Sequence, residues 1–317
     1  MKRIWLVLFV AGLLAPAWAK DGVKMTFAPP AALVATETEK ETTVRELAAP
    51  AHGLQQKDTY VTEKRVRYEI HTSVKGFTVS ETLLSVRVLH DGAADQPDPF
   101  DRCLLNNPVT FSLDGTGKLL RVLGVEKVIT QGHDDLSTDD QKELGQMLDA
   151  DKLAQSFRSD WQVSVGALLG RTVKHGAAWS AQGDTFLPDG TLGTYTETTK
   201  AGDTAALGER TGVALHFAND LDKKAFGRAL SRVFNANEPD GPPVTWKVTE
   251  ASQQGERLVD TTLLLDLHAT QQTVTRAQAS GPDGKPMTMT LTSTAESTLV
   301  FGDAPDPSVW RAPATAT

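Results

Sequence analysis

Cysteine is nearly absent. Cys103 stands alone in 317 residues, so no disulfide can form within the chain and stability must come from burial. The surrounding "FDRCLLNNP" carries no cysteine-protease pattern, and Cys103 reads as a buried small hydrophobe or an incidental thiol. Aromatic residues are sparse at 6%, too few to line a sugar cleft with exposed Trp and Tyr. Cations are outnumbered, 32 Lys and Arg against 40 Asp and Glu, for a net charge of −8. That balance disfavours nucleic-acid binding by counterion release, which needs clustered Lys and Arg, and docking on anionic lipid surfaces. The densest basic stretch, "EKRVR" at 63–67, reads as the solvated face of a strand. No histidine pair has the i, i+4 spacing of a helical metal site. H-E-x-x-H, G-x-S-x-G and a Gly-rich loop opening a helix are all missing.

Long apolar runs are confined to the start, "MKRIWLVLFVAGLLAPAWAKDG". Lys2 and Arg3 precede an apolar run from Ile4 to Leu14, Pro16 breaks it, and Ala17 and Ala19 occupy the two positions a signal peptidase reads. The run is shorter than the roughly 20 residues of a membrane-spanning helix. Residues 1–19 are therefore expected to be a signal peptide cleaved after Ala19, with the mature protein periplasmic or secreted.

Residues 20–57, rich in Ala, Pro, Thr and Glu, read as an irregular leader with short strands at "VKMTFA" and near Thr42 to Leu47. Residues 58–303 read as one antiparallel β-rich domain. In "TYVTEKRVRYEIH", Tyr60, Val66, Tyr68 and Ile70 share one face of a strand. "PVTFSLDGTGKLLRVLGVEKV" is a hairpin turned by "DGTG", and "MTMTLTST" alternates throughout its length. Two helices are expected, at 138–158 with Thr138 and Gln141 as capping box, and at 221–235. Residues 304–317 read as a loose tail. The expected fold class is α+β but mostly β: a large curved antiparallel sheet or half-open barrel with about two helices packed against it.

Candidate sites are weak. His133, Asp134 and Asp135, with Asp139 and Asp140 close behind, come nearest to a metal cluster, yet acids before a helix are explained by its dipole. "DGTGK" at 114–118 begins like a calcium loop but lacks the remaining ligands. The carboxylate pairs Glu63 and Glu69, and Asp260 and Asp266, alternate with apolar residues and read as solvent-facing. In "RTVKHGAAWSAQGDTF", Gly176 permits a bend and Trp179 anchors the strand leaving it, while His175 has no evident partner. Gly176 and Trp179 are assigned as a structural corner. No catalytic, cofactor or metal residue is assigned, and no cofactor is expected.

Phe111, Leu113, Asp114, Gly117, Leu119, Val122 and Gly124, followed after a helix by Val173, Gly176 and Trp179, resemble the pattern of an uncharacterised domain family of exported bacterial proteins. That family has no established activity. The resemblance implies an architecture similar to the half-open barrels of periplasmic lipoprotein carriers, with helices plugging one side, an analogy of fold alone. Three functions stay open. The leading one is a non-enzymatic exported protein that holds a lipid, acyl chain or partner peptide in a groove between sheet and helices. The others are a secreted hydrolase whose site assembles only in the fold, and an envelope scaffold. The expected partner is an apolar small molecule or a protein, with no nucleic acid and no stable membrane insertion after cleavage.

Overall fold

The computed structural model describes residues 22–144, 148–237, 243–280 and 284–302. The expected signal peptide, with Ala17 and Ala19, and the expected tail at 304–317 lie outside the described residues. The strands are β1 (Val23–Lys24), β2 (Ala32–Ala49), β3 (Leu54–Ser73), β4 (Gly76–His90), β5 (Ala93–Asp95), β6 (Val109–Leu113), β7 (Leu119–Leu123), β8 (Thr172–Val173), β9 (Ala178–Phe186), β10 (Leu192–Leu207), β11 (Arg210–Leu221), β12 (Trp246–Asp260), β13 (Asp266–Ser280) and β14 (Pro286–Phe301). The helices are α1 (Pro99–Leu104), α2 (Val125–Asp135), α3 (Thr138–Leu144), α4 (Ala150–Trp161) and α5 (Lys223–Asn237), with a π-helical turn at Gln162–Gly166.

The chain is mostly β, and its large antiparallel sheet runs β7-β6-β4-β3-β2-β14-β13-β12-β11-β10-β9 without closing into a barrel. Strand β5 pairs with β4 off this path, and β1 pairs with β8 as a separate ribbon. The two ends of the sheet nevertheless meet one element, because α4 packs against both β7 and β9. The sheet therefore curls until a helix, rather than hydrogen bonds, spans the seam. One buried cluster joins Val79 and Phe111 from one half of the sheet to Val213 and Leu215 from the other.

Residues 20–57 are not an irregular leader. Strand β2 lies at the centre of the sheet, paired with β14 from Ala48↔Thr288 to Ala35↔Phe301 and with β3 along its whole length. Alternation failed to reveal it because its inward side reads Leu33, Ala35, Glu37, Glu39, Glu41, Thr43, Arg45, Leu47, apolar only at the ends. The inner face of the sheet repeats this plan. One apolar end packs under α1, α2 and α4, and the other packs under α5 through Leu47, Trp246, Val248, Ala277 and Met289. The waist between them is polar. Asn219 donates to Gln253 and Gln253 to Gln271, while Arg257 donates to Glu197 at 2.9 Å.

Helices exceed the expected two. The stretch expected as one helix over 138–158 is divided into α3 and α4, and its cap begins one residue early. Ser137 Oγ accepts from Asp140 N–H at 3.1 Å, and the Asp140 carboxylate accepts from the Ser137 hydroxyl at 2.8 Å. Helix α4 has its own cap in Asp149, which accepts from the N–H groups of Asp151 and Lys152. Its Leu153, Phe157 and Trp161 repeat every four residues and face the main core. The hairpin return expected to run through Val128 stops at Leu123. Gly124 sits at φ 91° and turns the chain into α2, and a Cβ there would lie 2.3 Å from Pro108 O, so only glycine fits. The expected 221–235 helix is α5, capped by Asp222 accepting from Lys224 and Ala225 N–H. Cys103 is buried, with its Sγ 2.7 Å from where a Cβ on Gly132 would stand, so α1 and α2 pack in close contact.

Candidate functional site

A groove of about 870 Å³ opens where the sheet's two edges approach. One wall comes from β1 and the residues after it (Lys24, Thr26, Phe27), another from the β6–β7 hairpin (Thr116 to Leu119). The third is formed by Trp161 and the chain through the π-helical turn to Arg171, and the fourth by Ser180 and Ala181 of β9. Local backbone bonds hold these parts together. Met25 N–H donates to Arg171 O and Gly170 N–H to Met25 O, while Thr26 and Ala28 N–H reach Thr261 O and Thr262 O. The 23–28 segment thus ties the turn after α4 to the loop between β12 and β13. Gly117, at φ 91°, leaves room for Phe27, whose Cβ stands 2.4 Å from where a glycine-to-alanine change would put a methyl.

The groove carries charge of one sign. Lys24, Lys118 and Arg171 line it together with Phe27, Leu119, Trp161 and Leu169, and among the described residues no carboxylate does. Lys118 stands in the turn of Asp114, whose carboxylate accepts the Lys118 N–H and is held below its usual range partly by the Lys118 charge. Arg171 is fixed in place: its Nε–H donates to Ala167 O at 3.0 Å and its guanidinium lies 4.8 Å over the Trp179 ring. Trp179 is half-buried against the main core, and Gly176, at φ 75°, donates its N–H to Ala201 O at 2.8 Å. The corner thus carries a side chain that orients a groove cation. His175, expected to lack a partner, lies 3.0 Å from Asp203 on the surface.

Trp161 is shared with a second, inner cavity of about 240 Å³, lined by Glu37, Tyr68, Glu81, Asp160 and Asp266 among apolar side chains. Tyr68 donates to Glu37 at 2.8 Å. Burial, reinforced by the Glu37 and Asp160 charges, pushes the Glu81 carboxyl from its ordinary 4.5 to about 7. Burial raises Asp160 to about 6, with Asp184 adding to it. Burial likewise raises Asp266 to about 6, with Arg257 opposing and Glu37 adding. The Tyr68 hydroxyl is raised well above the usual phenol range by burial and then by Glu81. At neutral pH Glu81 is divided between its protonated and ionised forms while Asp160 and Asp266 are mostly ionised, and the protonated Glu81 carboxyl donates as well as accepts hydrogen bonds.

The other candidates from the sequence are dispersed. Asp260 and Asp266 are not solvent-facing. Asp260 is 1% exposed and caps the turn at Thr262 and Leu263, while Asp266 lines the inner cavity. Both stand at the β12–β13 turn, where Leu264 adopts φ 56°, so strand alternation no longer predicts side. Glu63 pairs with Lys40 and Arg87, and Glu69 with Arg67. Asp114 accepts from Thr116 and Lys118 within its turn, which holds its carboxyl below the usual range. Asp140 serves the α3 cap and Arg102; the side chains of His133, Asp135 and Asp139 lie outside the described residues. For acyl transfer, the nearest set is His268, 3.2 Å from Thr298 Oγ1 but 3.9 Å from Glu296 on an exposed strand face, beyond hydrogen-bond reach. The large exposed apolar residues, among them Val74, Leu120, Leu207 and Val300, come from different strands and turns.

No protein-family model matches the chain, and no curated protein matches it. Among solved structures, 88% of the chain overlays on lipovitellin, in a structure concerned with its lipid–protein interactions, at 10% identity and a TM-score of 0.41. The chain spans only 26% of that protein's chain. The outer membrane protein opdK of Pseudomonas aeruginosa overlays on 84% of this chain and 99% of its own, at 9% identity and a TM-score of 0.21. Likeness at this level assigns this chain neither ligand nor activity. No described helix is long and apolar enough to cross a membrane.

Proposed function

We propose that the protein binds an anionic amphiphile, an apolar chain with a carboxylate or phosphate head, in the groove at the seam of its sheet. The observation that carries this reading is the groove's one-signed lining: Lys24, Lys118 and Arg171 beside Phe27, Leu119 and Trp161, with no carboxylate among the described lining residues, in a chain of net charge −8. Acids outnumber bases overall, so a concave surface whose described lining is free of them suits a negative head group, and the aromatic and aliphatic floor suits its chain. The volume of about 870 Å³ falls in the range of small-ligand sites. The basic start, apolar run and Ala17-Trp18-Ala19 support the proposal that this binding takes place in the periplasm or outside the cell, after cleavage behind Ala19.

The test is tryptophan fluorescence titration of the delipidated protein with a medium-chain fatty acid and with its methyl ester, both below their aggregation thresholds. A charge-assisted contact contributes about 1.5–3 kcal/mol, so the acid should bind on the order of 10- to 100-fold more tightly than the ester. The double substitution Lys24→Glu and Lys118→Glu should abolish that preference. Equal affinity for acid and ester, or no binding of either, counts against the reading.

A further inference from the structure

Away from the groove, strands β3 and β4 gather a set of donors at their far end. We propose that Asp58, His90 and Asp91 form a binding site for a divalent transition metal of the zinc class, with a coordination position left open to water. The three side chains each offer one donor atom, all within 4.8 Å of one another. His90 Nε2 lies 3.7 Å from Asp58 Oδ1 and 3.6 Å from Asp91 Oδ2. It is sealed from solvent and has no hydrogen-bond partner. These separations are too long for hydrogen bonds. They match the roughly 3.3–3.7 Å between ligands of one ion whose bonds are about 2.0–2.2 Å at angles of about 109–120°.

The surroundings hold each donor where a metal needs it. The His90 ring is stacked on Tyr60 at 4.4 Å and an interplanar angle of 9°. Its other nitrogen, Nδ1, stands 3.7 Å from the Asp95 carboxylate, beyond hydrogen-bond distance but near enough to add negative charge beside the imidazole. Asp58 is 7% exposed and its Oδ2 is gripped by Arg45 Nε and by an Arg45 terminal nitrogen at 2.8 Å, while Oδ1, turned to His90, also accepts from Gln56 Nε2 at 3.2 Å. Asp91 accepts Thr59 N–H on Oδ1 at 2.9 Å, leaving Oδ2 for the ion. Asp91 also takes a left-handed backbone, φ 48°, at the β4–β5 turn, a strained conformation that presents its carboxylate beside the neighbouring histidine. One imidazole and two carboxylates without sulfur suit zinc and its neighbours. Calcium requires six to eight oxygens and takes no nitrogen.

The experiment is a Zn²⁺ titration of the tag-free, chelator-treated full chain against a chromophoric competitor, repeated with Co²⁺ to read its visible absorption. The expected result is one equivalent bound per chain, with affinity lowered on the order of 10-fold or more by His90→Phe, which keeps the stack on Tyr60, and by Asp91→Asn. His216→Ala, which removes the exposed His216–Glu256 pair, should leave binding unchanged and serves as the surface control. Circular dichroism of each variant establishes that it is folded. A folded His90→Phe that binds Zn²⁺ like the parent overturns the assignment. So does a parent with no stoichiometric Zn²⁺ and no Co²⁺ band, which would leave His90 in ordinary ion pairs with its aspartates.

Discussion

Replacing Glu81 by Gln should make the protein more stable at alkaline pH and leave it nearly unchanged in mild acid. In the folded chain the Glu81 carboxyl sits at about 7 against an ordinary 4.5, chiefly because it is buried. Between those two values the folded state holds a proton that the unfolded state releases. Unfolding free energy therefore falls as pH rises through that window and levels off above it. At about 1.4 kcal/mol per pH unit, and discounting for the carboxyl's partial exposure, Glu81 costs on the order of 2–3 kcal/mol once ionised. Asp160 and Asp266, both at about 6, act in the same direction, and the groups facing Glu81 include Glu37 on β2 and Asp160 on α4. The difference between variant and parent reports Glu81 together with its coupling to Glu37 and Asp160, because the carboxylates held below their usual range, such as Asp114 and Asp222, contribute equally to both. Urea unfolding from about pH 5 to pH 8 measures this difference directly. A Glu81→Gln effect that does not change with pH refutes the raised Glu81 carboxyl.

Leu153→Ala, at a position on α4 only 1% exposed, should cost about 2–5 kcal/mol, read by urea melts, and a loss under 1 kcal/mol would mean that α4 does not seal the sheet. Gly124→Ala forces a methyl into Pro108 O at a left-handed position and should cost about 2 kcal/mol or more, measured in the same way. Arg257→Met strands Glu197, whose side chain is 7% exposed, and should cost about 3–5 kcal/mol. The double change Arg257→Met with Glu197→Leu should recover most of that loss, and a failure to recover would show that the pair is not coupled.

The class of fold was legible where apolar residues alternate, as at Phe111 and Leu113 or along "MTMTLTST". It was hidden where the inner face is polar. Strand β2 points Glu37, Glu39 and Glu41 inward, so a central strand carried the composition of a leader. The Gly124 turn switches strand to helix within one residue, which hairpin composition does not announce. The corner at Gly176 and Trp179 was visible as a bend followed by an aromatic, but its link to the groove, Arg171 on the Trp179 ring, is tertiary. Lys24, Lys118 and Arg171 lie far apart in sequence and meet only in the folded groove. The cavity carboxylates had one sequence signal, acids at inward positions such as Asp266 in "LLLDLHA", which alternation alone assigns to solvent.

Photolabelling with a fatty acid that carries a diazirine on its chain tests the central claim most directly, because it reports where the ligand lies rather than how tightly it binds. Cross-links should map to the peptides holding Lys24 to Phe27, Thr116 to Leu119 and Trp161 to Arg171, and should be competed away by unlabelled acid. Cross-links spread over the outer strand faces around Thr270 and Glu296, unaffected by competitor, would contradict the account.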